Sequence, residues 1–256
     1  MEESDYLLTN SEPETADRFD GLEQAFDAIS IGHLQRLGVG IGARCLEIGA
    51  GSGSIARWLA GQVGPAGRVV ATDLDARWVR HDGSPQLEVR QLDLVGDPIP
   101  DGPWDVIHEP ERLDVLDRLV ASLAPGGWIL IEDFDTAEVR TIDREGPHHE
   151  LVVSVARAFN GLLRSRGGVT EFAASGPRNL RARGLVDVGA SGYVAIDGGG
   201  RGFANVAAAN ARQVRDGLVA SGLEPADVDR FLEVVADPDT VIGSSVLIST
   251  WGRRAG

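Results

Sequence analysis

The stretch Leu46-Glu47-Ile48-Gly49-Ala50-Gly51-Ser52-Gly53 spaces three glycines at alternate positions behind a short apolar run. Glycines so placed let the backbone take positive φ and come close to a bound molecule. The first amides of a following helix point into the same space. A bare strand-to-helix turn uses the same residues, so two further acids carry weight. Asp73 lies 20 residues after Gly53, at the end of the next apolar run. A carboxylate there can accept both ribose hydroxyls of an adenosine-containing ligand. Asp93 follows the third run, within reach of an adenine edge, although both acids also suit ordinary strand-end turns.

Gly51-Ser52-Gly53-Ser54-Ile55-Ala56 also fits the dinucleotide pattern G-x-G-x-x-A, with Asp73 at the matching distance. Glu47 argues against a dinucleotide. A carboxylate just ahead of the bend would face a pyrophosphate unfavourably, whereas a ligand bearing an ammonium or sulfonium group tolerates acidic surroundings.

His108 follows the fourth apolar run, at the expected carboxyl edge of a sheet, and is the candidate general base; capping a strand or packing on a cofactor are its other readings. Asp133 and Asp135 end the fifth run, where substrates bind in such sheets and where turn acids are also common. His148-His149-Glu150 does not suggest metal, because adjacent histidines cannot share one helix face and no H-x-x-x-H spacing follows. Cys45, the single cysteine, sits inside an apolar run and reads as core.

These residues need a scaffold of alternating strands and helices. Helical spacing runs from Glu12 to about Leu37. Then come a strand Arg44 to Ile48, a helix Ser54 to Gln62, a strand Arg68 to Thr72, a short helix Ala76 to Arg80 and a strand Leu87 to Gln91. The strand Trp104 to Ile107, a helix Glu111 to Leu123, the break Pro125-Gly126-Gly127 and the strand Trp128 to Phe134 complete the alternation. Right-handed crossovers and a mostly parallel sheet follow. Beyond Asp135 we expect helices Glu150 to Arg164 and Pro177 to Arg183, a strand Val186 to Ile196, and a flexible joint Gly198-Gly199-Gly200. Helices Phe203 to Ala220 and Pro225 to Ala236 and a strand Ser244 to Trp251 end the chain.

A formal charge of −15 would repel a phosphate backbone, and no dense Lys/Arg stripe offsets it, so nucleic acid is a poor partner. No apolar run reaches the 18 residues a membrane span needs, and the acidic start MEESDYLLTNSEPE is unlike a secretory signal. A cytoplasmic location without membrane contact is expected. The N-terminal helical periodicity serves packing on the same chain or on a second copy in a homodimer.

CLEIGAGSGSIARWLA, VVATDLD, the aspartate of RQLDL, WDVIH and LVASLAPGGWILIEDFD together resemble the successive motifs of class I S-adenosylmethionine-dependent methyltransferases, over about residues 44 to 135. The closing VLISTWGRR is similar to the last, antiparallel strand of the small-molecule members. The resemblance implies a Rossmann-like, doubly wound, mostly parallel seven-stranded α/β sheet with an antiparallel C-terminal strand, N-terminal helices and inserted lid helices. It implies one methyltransferase domain over 1–256: a helical cap (1–43), a cofactor-binding core (44–135) and a substrate-side remainder (136–256). S-adenosylmethionine would contact Tyr6, Glu47, Gly49, Ala50, Gly51, Gly53, Asp73, Leu74, Asp93, Leu94 and His108. The acceptor would be a small organic molecule, methylated at oxygen, nitrogen or carbon, under a lid made by Tyr6, residues 140–149 and the helix from Phe203, with Phe159, Leu162, Phe172 and Tyr193 offering apolar surface. One departure stands out: Ile107-His108-Glu109-Pro110-Glu111 passes almost directly into the next helix, where most small-molecule members carry a longer loop. That shortening keeps open a repurposed or non-catalytic S-adenosylmethionine-binding protein as the other reading.

Overall fold

The computed structural model describes residues 7–10, 13–109, 113–137, 143–168 and 172–256. The strands are β1 (Arg44–Ile48), β2 (Arg68–Asp73), β3 (Leu87–Gln91), β4 (Trp104–Glu109), β5 (Leu123–Asp135), β6 (Val186–Tyr193), β7 (Ile196–Gly198), β8 (Val241–Gly243) and β9 (Val246–Arg253). Seven form one sheet in the order β3-β2-β1-β4-β5-β9-β6, and β7 pairs with β8 in a separate ribbon. The pairs β1 with β2, β1 with β4, β2 with β3 and β4 with β5 are parallel, while β9 runs antiparallel between β5 and β6. The expected fold class is thus the observed one.

The helices are α1 (Thr15–Arg36), α2 (Ser54–Val63), α3 (Leu113–Ser122), α4 (His149–Ser165), α5 (Phe172–Ala182), α6 (Phe203–Gln213), α7 (Arg215–Ala220) and α8 (Pro225–Ala236). Both faces of the central strands are covered, which is why those strands read as nearly continuous apolar runs. Cys45, Val69, Val106 and Leu130 pack with Leu34 of α1 and with Ile55 and Leu59 of α2. Leu46, Val70, Ile107 and Ile129 pack on the other face with Leu116 and Leu119 of α3 and Leu180 of α5. Burial raises the Cys45 thiol to about 12, as befits a core residue. A third cluster joins α4, α6, α7 and α8 beyond the carboxyl end of the sheet.

Four details differ from the expectation. The residues Val186 to Ile196 are two strands, separated where Ala195 N–H donates to Ser244 Oγ at 3.0 Å. The helix from Phe203 breaks at Val214, which has φ −104° and ψ 20°. Pro125-Gly126-Gly127 lies inside β5 as an irregularity, the register moving from Trp104↔Leu123 to Val106↔Trp128. The Gly198 joint is held, with Gly199 and Gly200 amides donating to Thr240 O and Val235 O at 2.9 Å each. Among the described residues no helix is long and apolar enough to cross a membrane.

Candidate functional site

The bend after β1 is built by glycine. Gly49, Gly51 and Gly53 have φ of 66°, 53° and 79°, a region where side chains are strained. Ala50 N–H donates to Thr72 O at 2.9 Å, and Gly53 N–H returns to Ala50 O at 2.7 Å. Gly53 caps α2, so the first amides of that helix face the bend. Asp73, at the end of β2, accepts from Gly51 N–H and from Asp75 N–H, each at 2.9 Å, and so braces the bend. Burial raises its pKa.

One face of the sheet carries a row of polar side chains in an otherwise apolar layer. Glu47 of β1 stands in register with His108 of β4, and His108 with Leu130 of β5, two residues before Glu132. Alternation puts Leu130 and Glu132 on the same face. His108 Nε2 is 3.1 Å from Glu132 Oε2, and its Nδ1 is 4.0 Å from Glu47 Oε1. Glu132 Oε2 also accepts from Ser30 Oγ of α1, and Oε1 accepts from Ser249 Oγ of β9 at 2.5 Å. Burial alone would raise Glu132, but His108 and the two hydroxyls hold it below the usual carboxylate value. Glu47 has no such set of donors. It is 3% exposed, its Oε2 has no hydrogen-bond partner, and burial pushes it up to about 7. Asp27 of α1 is raised to about 6, again chiefly by burial.

Helix α1 lies across this site. Phe19 sits over Gly51, where a Cβ would come within 3.2 Å of its ring, and meets Trp78 edge-on at 5.9 Å. Glu23 accepts from Ser52 Oγ. Nothing in the helical periodicity of α1 announces this covering role; the signal was the acid pair Glu23 and Asp27 on a helix otherwise read as a cap.

The other expected positions are as follows. Leu74 is half-buried just after β2, and Leu94 packs against Leu46 and its neighbours. Asp93 is engaged locally, its Oδ1 accepting from Val95 N–H at 3.0 Å. Tyr6 and residues 138–142 lie outside the described residues, as do 110–112 of the short segment after β4 and the side chain of Phe172. Tyr193 belongs to a small aromatic cluster in which Phe26 meets Phe134, Tyr193 and Phe203 edge-on. His148 and His149 line a cavity of about 260 Å³ with Asp143, Asp237 and Asp239, and no metal-holding group of three occurs among the described residues.

A cavity of about 410 Å³ opens beyond the end of β5, between α4, α6, α8 and β8. Its walls include Phe134, Phe159, Phe203 and Phe231, and its polar groups include Asp133, Asn160 and Asn210. His108 is not among its lining residues; Asp133 is. Asp133 lies three residues past Leu130, the register partner of His108, which moves it about 10 Å along the strand.

Residues 46–131, which span the bend, Asp73 and the His108 strand, match the family model described as a methyltransferase domain. That segment is similar to a methyltransferase domain. The match runs from the middle of β1 to the middle of β5, so it contains the bend, Asp73 and His108 but stops two residues before Asp133. Methyltransferase str2 of Strobilurus tenacellus is 32% identical over 142 residues, covering 52% of this chain and 50% of that protein. The C-methyltransferase UbiE of Pseudomonas syringae pv. syringae is 30% identical over 112 residues, covering 38% of this chain and 44% of its own. The chain therefore matches about half the length of these curated relatives. Phospholethanolamine N-methyltransferase 2 of Haemonchus contortus superposes with a TM-score of 0.58 at 15% identity, over 95% of this chain and 58% of that one. The chain has the class I methyltransferase fold.

Proposed function

We propose that the chain moves the methyl group of S-adenosylmethionine to oxygen, nitrogen or carbon of a small organic acceptor. The observation that carries this reading is the pairing of the bend at Gly49–Gly53 with Glu47, a buried carboxylate beneath it that keeps one oxygen without a donor. That oxygen suits the ammonium of the methionine moiety, since a cation restores what burial costs the carboxylate. Asp73 retains acceptor capacity for ribose hydroxyls beyond its two backbone donors. Leu74, Asp93 and Leu94 then border the adenine, and Ala50 with the three glycines supplies backbone at the methionine end.

When bound, S-adenosylmethionine supplies an electrophilic methyl on a positively charged sulfur. The chain's own part is positioning: α1, with Phe19 over the bend, excludes water, and the cavity beyond β5 holds the acceptor in line. His108 serves as a positioning residue, fixed by Glu132 and facing Glu47. Asp133, which lines the cavity, is the group placed to receive a proton from an acceptor hydroxyl.

The test is calorimetric titration with S-adenosylmethionine and S-adenosylhomocysteine, followed by incubation with methyl-labelled cofactor and a panel of phenols and amines. Heat with both compounds and label in an acceptor support the reading. Silence with both, with a clean titration by a nicotinamide dinucleotide, overturns it. Binding without transfer to any acceptor favours the repurposed alternative.

A further inference from the structure

Arg18 of α1 is 6% exposed and lines the cavity beyond β5. Its guanidinium donates to Gln213 Oε1 and Asn10 Oδ1 at 2.6 Å each and to Thr9 O at 3.5 Å, and its central carbon lies 5.6 Å from the centre of the Phe19 ring. All of these partners are neutral. The three hydrogen bonds use three of the five N–H donors that a guanidinium carries. Among the described residues no carboxylate pairs with Arg18, whereas the more exposed Arg68, Arg183, Arg215 and Arg253 each face an acid. Burial lowers the pKa of Arg18, and no acid offsets that effect. A buried cation with neutral partners has lost water without gaining a counter-charge, and a carboxylate held in the guanidinium fork supplies one.

We propose that this cavity binds an apolar molecule by its carboxylate, which Arg18 receives, and that the other end of that molecule lies toward Asp133. This specifies the acceptor of the methyl transfer and rests on that reading. The cavity follows α6, which opens at Phe203 and closes at Gln213, the partner of Arg18, about 15 Å further along the axis. Phe134, next to Asp133 on β5, belongs to the Phe203 end: its ring centroid is 5.0 Å from that of Phe26, which is 6.3 Å from that of Phe203. Val206 and Ala207 line the stretch between the two ends. A ligand anion therefore meets the guanidinium directly and Asp133 only across most of the cavity, so attraction outweighs repulsion. Asn210, one turn before Gln213, also lines the cavity and carries an amide that can donate on the Arg18 side. The volume, about 410 Å³, lies in the range of sites that enclose most of a small organic molecule.

The probes are 6-hydroxy-2-naphthoate, its carboxamide and its methyl ester, followed by naphthalene fluorescence on the full chain. The carboxylate is expected to bind about tenfold tighter than either neutral compound, the factor a charge-assisted hydrogen bond confers. Arg18→Gln removes the charge and should bring the three compounds within about twofold. Asn10→Asp makes the same test with Arg18 in place. It puts a carboxylate where Asn10 Oδ1 already accepts, so the melting temperature should rise while the preference for the naphthoate falls to about twofold. If Arg18 only tethers Asn10 and Gln213, Asn10→Asp raises the melting temperature and leaves the order of the probes unchanged. That result overturns the proposal, as does a parent protein that binds the carboxamide as tightly as the carboxylate, or binds no carboxylate. Thermal melting reports that each variant is folded, and Asn10→Asp decides alone should Arg18→Gln unfold. If S-adenosylhomocysteine gives no heat but the probe order holds, the methyl-transfer reading fails and the carboxylate site stands.

Discussion

His108 Nε2 stands 3.1 Å from Glu132 Oε2, and that same oxygen accepts from Ser30 Oγ. With Ser249 on the other oxygen, one buried carboxylate ties together α1, β4, β5 and β9. A charge this deep in the layer is tolerable because each of its oxygens has a donor. Removing the carboxylate leaves an imidazole and two hydroxyls stranded.

Glu132→Ala should therefore cost about 3 kcal/mol of folding stability, and Ser249→Ala about 1 kcal/mol, in urea unfolding with an unchanged slope. The ordering is the informative part: an equal loss in both variants would mean that the carboxylate adds nothing beyond its bond to Ser249.

Glu47 and Glu132 respond to pH in opposite senses. The folded state holds a proton on Glu47 up to about 7, whereas the unfolded chain releases it near the ordinary 4.5. Between those values folding takes up a proton, so stability falls as pH rises, by about 3 kcal/mol at most. Asp27, raised to about 6, adds to the same slope. Glu132 is held low, so its contribution is present above the unfolded value and disappears as pH drops through its folded one. The unliganded protein should melt higher at about pH 5.5 than at about pH 7.5, and Glu47→Gln should flatten that difference. In the methyl-transfer reading, cofactor binding near about pH 6.5 should also release protons, visible as a dependence of the calorimetric heat on buffer ionisation enthalpy.

The bend offers a sharper contrast. A Cβ at Gly53 would sit 2.7 Å from Val79 Cγ1 on a backbone with φ of 79°. Gly53→Ala should lose about 1–2 kcal/mol of stability from strain and crowding together. Asp73→Asn, by contrast, keeps the shape and one acceptor oxygen. Because one of the Gly51 and Asp75 amides then loses its acceptor, it should lower the melting temperature by several degrees as well as weaken S-adenosylhomocysteine about tenfold. Calorimetry and thermal melts on both variants check the pair; unchanged affinity in Asp73→Asn would remove that carboxylate from the ribose.

How much of this was legible beforehand follows sequence distance. The bend, Asp73 and the five parallel strands are local patterns, and periodicity within a few residues suffices to find them. The Glu132 network joins Ser30, His108 and Ser249 across 102, 24 and 117 residues, and only the order β4-β5-β9 brings them side by side. Asn160 and Asn210 sit on helices whose apolar stripes were readable, yet nothing in those stripes says that the two amides face a common cavity. His108 was expected just beyond the fourth strand, whereas β4 runs on through Glu109 and contains it; its direction depends on Glu132, which looked like one acid among several at the end of β5.

The choice between His108 and Asp133 as the group nearest the acceptor is decided by separating turnover from stability. Asp133 lines the cavity, and its replacement by asparagine conserves shape while removing the base, so Asp133→Asn should lower kcat for a hydroxyl acceptor by about 100-fold or more and leave S-adenosylhomocysteine affinity unchanged. His108→Gln keeps a side chain able to donate to Glu132. Because His108 works through the buried row, it should show a smaller loss in kcat, a lower melting temperature and a weaker cofactor, since Glu47 then faces an altered neighbour. The pH profile adds a second criterion: if Asp133 takes the proton, kcat rises with pH on the acid side in the parent, and Asp133→Asn loses that limb while His108→Gln retains it. The reverse assignment of the limb would return the base to His108 and require the acceptor to lie deeper over the sheet, outside the cavity lined by α4 and α6.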